Sequence, residues 1–251
     1  MSFMIVRTII LLLVSLSFTA SSDAQMQRTQ DKGQPRLSTV LIDKSIQYHD
    51  PHNNWPTLNS ALHFSTIMAD KSERQRDIRI NNKEDAFYFV SAYPEGTLKY
   101  NVESNIGTTL WNDSPTIPAD MAKKYRISND RAVMYRNYYS YLYGMPMKLK
   151  DPGTLVDSFA TVVTFHGKTY DRIRVSYDPA VGTDTWYFYF DTETHALEAY
   201  QFYKDESKND GEYILFEELI DIHQIKIPKI RHWYYNRDQK FLATDILVSA
   251  N

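Results

Sequence analysis

His49, Asp50 and His52 fall within four positions in the stretch SIQYHDPHNNW and are followed by Trp55, the densest gathering of reactive side chains in the chain. Two imidazoles and a carboxylate are the donor types of a zinc or acid/base site, and a tryptophan could wall it. The spacing argues against that use. Paired histidine ligands share a helix face at separations of three or four, which requires a continuous helix. Pro51 drives Asp50 out of the helical region and has no amide hydrogen, so a helix reaching Tyr48 stops here and His52 lies past the break. The expectation is a helix exit, with the His49 imidazole in the last turn over free carbonyls. The alternative is a metal-dependent hydrolase built on His49, Asp50 and His52.

Other catalytic patterns are missing. There is no G-x-S-x-G elbow and no H-E-x-x-H pair, and Val162 stands where a phosphate loop ending in Gly167-Lys168-Thr169 needs glycine. Glu217 and Glu218 are adjacent on an expected strand, so their carboxylates face opposite ways. Asp205, Glu206, Asp210 and Glu212 surround a turn without calcium-loop spacing. Without any cysteine, thiol catalysis, thiolate ligation, disulfides and lipid attachment to cysteine are excluded. No catalytic residue, metal ligand or cofactor is assigned.

What remains is aromatic: nineteen tyrosines, twelve phenylalanines and four tryptophans. In the run WYFYF, period-two geometry sends Trp186, Phe188 and Phe190 to one face and Tyr187 and Tyr189 to the other, so both faces need cover. In MYRNYYSYLYG, Met134, Tyr138, Tyr141 and Met145 follow one helical stripe, while Tyr135, Tyr139 and Leu142 follow the next. Met134, Tyr138, Tyr141, Met145, Trp186, Phe188 and Phe190 are therefore the expected lining of an apolar ligand pocket. A barrel filled by these same side chains, serving as an interaction scaffold, is the competing reading.

The elements that must position them follow from pattern. Leu37, Val40, Leu41, Ser45 and Tyr48 fall at helical spacing and predict a short amphipathic helix. Strands are expected around residues 60–69, 73–80, 84–92, 97–103 and 106–112, separated by turn formers such as Asn81-Asn82 and Pro94-Glu95-Gly96. Pro115 and Pro118 mark a change of structure, and a second helix is expected over 129–143, stopped by Gly144 and Pro146. From Ser158 the meander resumes, with turns at His166-Gly167-Lys168, Thr192-Glu193-Thr194, Asn209-Asp210-Gly211 and Asn236-Arg237-Asp238. The expected class is α+β, mainly β: one antiparallel sheet of about eleven strands that curls into a half-barrel, covered by the two helices.

Arg7, the apolar run Ile9 to Leu16 and the small residues at Ser22-Asp23-Ala24 read as a signal peptide over residues 1–24, cleaved near Ala24. Residues 25–36 are polar and aperiodic, an expected disordered lead-in, and residues 37–251 form one expected domain. No later apolar run reaches the roughly 20 residues of a spanning helix. With a net charge of -3 and both signs scattered, nucleic acid and anionic membranes are not expected partners. The chain reads as exported, periplasmic or secreted, and non-enzymatic.

A short helix ending in Tyr48-His49-Asp50-Pro51, then Trp55, a meander, a helical insertion before YGMPMKLKDP, the strand and turn WYFYFDTET from Trp186 to Thr194, and late Pro228 together resemble the lipoprotein-localisation-factor superfamily. The chain looks closest to one of its uncharacterised secreted bacterial families. The resemblance implies a half-barrel whose concave face binds acyl chains or another hydrophobic molecule under a helical lid, with an envelope protein as a possible partner. In the carriers of that superfamily a barrel arginine helps hold the lid closed; Arg74, Arg172 and Arg174 are the arginines weighed for that place, and the resemblance singles out none of them.

Overall fold

Alternating runs joined by two-residue turns pair as hairpins in chain order, because the turn leaves no length for any other partner. The computed structural model describes residues 36–250, so the expected signal peptide and nearly all of the expected lead-in lie outside the described residues. Helix α1 (Ser38–His49) is followed by β1 (Asn59–Met68), β2 (Glu73–Asn81), β3 (Ala86–Tyr93), β4 (Gly96–Glu103) and β5 (Ile106–Trp111). Two helices interrupt, α2 (Ala119–Tyr125) and α3 (Asn129–Gly144). The meander resumes with β6 (Thr154–Val156), β7 (Thr161–Phe165), β8 (Lys168–Tyr177), β9 (Thr185–Asp191) and β10 (Leu197–Tyr203). It ends with β11 (Glu212–Ile222), β12 (Ile225–Tyr235) and β13 (Phe241–Ala250).

All thirteen strands belong to one curled, mainly antiparallel sheet, against the eleven expected. One added strand is the three-residue β6. The other comes from a turn at His223-Gln224, both at positive φ, which divides residues 212–235 into β11 and β12. That pair carries none of the glycine or asparagine that usually marks such a turn. Helix α2 is also an addition; Pro118 is its N-cap, so the change of structure expected at this proline is a helix start.

The strand order is β5-β4-β3-β2-β1-β13-β12-β11-β10-β9-β8-β6, with β7 paired to β8 off this path. Two consequences follow. Antiparallel pairing of β1 with β13 joins the two meanders into one surface. And β5 and β6 sit at opposite ends of the order, so the segment between them must traverse the sheet, which carries α3 over its concave side. There Tyr139 packs on Phe64, with ring centroids 5.5 Å apart, and Tyr135 on Phe89 at 4.8 Å. Gly107 permits the approach of α3, since a Cβ there would lie 2.4 Å from the Asn129 carbonyl oxygen.

The buried face of α1 is Ser38, Leu41, Ile42, Ser45 and His49. The expected stripe is thus rotated: Leu37 and Val40 face solvent, and Ile42 replaces them against the sheet. The outer face of β9 also finds the cover its tyrosines require, but not from a helix. Instead β7 folds back over it, and Phe165 stacks on Tyr189 with centroids 4.2 Å apart.

Candidate ligand-binding cleft

His49 caps none of its own helix carbonyls. Its ring is fully buried, its Nδ1–H donates to the Lys226 carbonyl at 2.6 Å, and its Nε2 accepts from the Leu197 amide at 2.9 Å. An amide can only donate, so the imidazole is the neutral Nδ1–H form. Burial, the largest influence, lowers its pKa to about 4. Asp50 turns the following chain by accepting from the amides of Asn54 at 2.7 Å and Trp55 at 2.9 Å. His52 is exposed. With both His49 nitrogens and both Asp50 oxygens engaged by protein groups, the three residues do not form a metal or acid/base site. They are a knot tying the end of α1 to β10 and β12, and Trp55 packs at Gly144 on the last turn of α3.

Helix α3 divides its aromatic residues by face. Tyr135 and Tyr139 point into the packed core beneath β1, β3 and β4, Tyr143 packs between Phe64 and Arg231, and Leu142 is buried between that core and the cleft. Met134 and Tyr138, 44% and 43% exposed, look the other way with Tyr141 into an open cleft of about 1010 Å³. Across it stand Trp186, Phe202 and Trp233 from β9, β10 and β12. Trp186 stacks on Phe202 at 4.8 Å and meets Tyr141 at 4.9 Å, so the wall is continuous from sheet to helix. The Tyr141 and Tyr177 hydroxyls share a hydrogen bond, and burial raises both, Tyr177 to about 12; both stay neutral at any physiological pH.

Of the seven residues singled out in the sequence, Met134, Tyr138, Tyr141 and Trp186 line this cleft. Met145, Phe188 and Phe190 are not on its lining: each is buried in the core below. The strand parity placing Phe188 on the face of Trp186 holds, their rings stacked 6.0 Å apart, but that part of the face is fully buried in the core.

Arg231 was not among the expected residues. It is fully buried, its guanidinium 4.2 Å from the Tyr143 ring, and it donates to the carbonyls of Pro228 at 3.1 Å and Leu142 at 3.5 Å. A buried cation thus ties β12 to the last turn of α3. A partial signal was present in parity: two positions back from the buried Trp233 is Arg231, although the same row continues through the half-exposed Lys229 before reaching the buried Ile227 and Ile225. Beside it, the Asp245 carboxylate accepts from Thr66 Oγ1 at 2.5 Å and Trp233 Nε1 at 2.9 Å, and Arg76 also donates to Thr66 Oγ1.

Solved structures share this architecture. A LolA superfamily protein from Nitrosomonas europaea matches with a TM-score of 0.54 at 8% identity, over 86% of this chain and 93% of its own. A domain from Vibrio parahaemolyticus assigned to outer membrane lipoprotein sorting matches at 0.50 and 9% identity, over 84% and 91%. No curated protein matches the chain. The likeness is one of fold: a curled antiparallel sheet with helices on its concave side. Within that fold, and with the family's model matched by residues 10–250, the chain belongs to DUF6503, a family of unknown function.

Proposed function

We propose that this protein is an exported, non-enzymatic carrier that shields a hydrophobic ligand, lipid or acyl chain in class, in the cleft between α3 and the β9–β12 wall. The observation that carries the reading is the division of α3. One aromatic stripe completes the core, while Met134, Tyr138 and Tyr141 remain half-open opposite Trp186, Phe202 and Trp233. Ligand sites are clefts of roughly 300–1,000 Å³ with mainly apolar walls, and burying a chain against such walls yields roughly 25 cal/mol per Å². The space of about 1010 Å³ suits a guest of that class. The likeness in fold to a lipoprotein-sorting domain supports the same class, and the leader pattern ending near Ala24 supports a periplasmic location with an envelope protein as recipient.

The test is native mass spectrometry of protein purified from its own host, paired with titration of a fluorescent fatty acid. Co-purified lipid, or saturable binding lost in Trp186→Ala, is the expected result. Protein that is repeatedly empty and ignores the fatty acid would overturn the proposal.

A further inference from the structure

The cleft has a charge asymmetry that an acyl chain does not use. Six charged residues line it, and four neutralise one another: Arg136 lies 3.1 Å from Asp85, and Lys148 pairs with Asp151. The two left over, Asp184 and Glu212, are both acidic, and their carboxylates have no ion pair or hydrogen-bond partner among the described residues.

Register shows where they point. Trp186 is directly opposite Phe202, and Phe202 directly opposite Glu212, so these three side chains stand in a row on one face of β9, β10 and β11. Asp184 lies two positions before Trp186 and opens onto the same cleft. Glu212 is thus half-buried in a row that is otherwise aromatic, on the concave side, where an unpaired carboxylate has a desolvation cost and no structural reward. Burial raises the pKa of both carboxyls, and the exposed Lys204, close enough only to act through its charge, pulls both the other way. Neither anion is therefore in direct contact with a cation: Lys204 acts on both from a distance and pairs with neither. The neighbouring aromatic rings have the same preference: Trp186 packs on Phe202 at 4.8 Å and on Tyr141 at 4.9 Å, and aromatic faces attract cations at about 6 Å.

Resting on the reading of this cleft as the ligand site, we propose that it selects amphiphiles whose polar end is cationic, an amine or quaternary ammonium on an apolar body, with Glu212 and Asp184 as the charge-selecting residues. The apolar part lies against Met134, Tyr138 and Trp233, and the cation sits between the carboxylates and the Trp186–Phe202 stack.

The test is isothermal titration calorimetry near neutral pH with three probes of one chain length below their micellar concentrations: decyltrimethylammonium, decanoate and neutral decyl maltoside. The cationic probe is expected to bind about tenfold more tightly than decanoate. The double variant D184N/E212Q should remove that preference while keeping affinity for decyl maltoside and an unchanged or higher melting temperature. Ionic probes that bind equally, a preference for decanoate, or a preference surviving in the double variant would overturn charge selection and leave the apolar cleft standing. If none of the three binds, charge selection and the proposed function fall together.

Discussion

His49 joins three elements through one neutral ring, and that makes it sensitive to acid. In an unfolded chain the imidazole takes up a proton near pH 6.5, whereas in the native protein it does so only at about 4. Between these values the unfolded state binds more protons, so stability falls as pH drops; above 6.5 the full contribution is present. The loss on crossing the whole window is on the order of 3 kcal/mol. Urea unfolding between pH 7 and pH 4 should show this slope, and His49→Gln should lack that component while starting about 2 to 4 kcal/mol less stable. The same contrast between burial and exposure separates two aromatics of one strand. Phe188→Ala, at a site with no exposure, should destabilise by about 3 to 5 kcal/mol, while Trp186→Ala should act mainly on ligand binding. Unfolding and fatty-acid titration of both variants check the difference.

Helix α3 owes its position to what holds its end. Gly144 leaves room for Trp55: a Cβ there would lie 2.5 Å from the indole and 2.6 Å from the Lys148 side chain. Gly144→Ala should lower stability by about 1 to 3 kcal/mol, with part of the loss recovered by adding Trp55→Phe. Arg231 holds the same turn from below through the Leu142 carbonyl. Arg231→Met should raise hydrogen exchange at the C-terminal turn of α3 by about tenfold, a local rather than global effect. On the other side of the sheet, β7 seals a patch of aromatic residues that no helix reaches. Phe165→Ala would uncover Tyr189 and should cost about 2 kcal/mol, measured by urea unfolding.

At the scale of the whole molecule, the described residues combine one packed core with an open cleft beside it. Beneath β1–β5 the concave side is filled by α3 tyrosines, so the filled-barrel reading describes that half; beside β9–β12 the same helix leaves a cleft. Because the cleft is already open, the proposed ligand site needs no large rearrangement to admit a guest. Variants in the cleft and variants in the packed half should therefore separate, the first changing affinity and the second stability. Among the described residues no helix is long and apolar enough to cross a membrane.

Much of this was legible in the chain itself. Tyr48-His49-Asp50-Pro51 places the end of α1 within a residue, MYRNYYSYLYG gives α3, and turn formers mark most hairpins, because backbone restriction by proline, φ > 0 turns and residue periodicity are local properties. The same locality explains the misses. His223-Gln224 turns the chain with residues of no turn signature, and the face of α1 depends on which strand lies beneath it. Pairing of β1 with β13, passage of α3 from one edge of the sheet to the other, and the choice of which tyrosine stripe fills the core arise only when distant segments meet. Arg231 and Glu212 belong with these: their types are visible in the sequence, but their place on the concave face is set by register across strands, which no short stretch of chain contains.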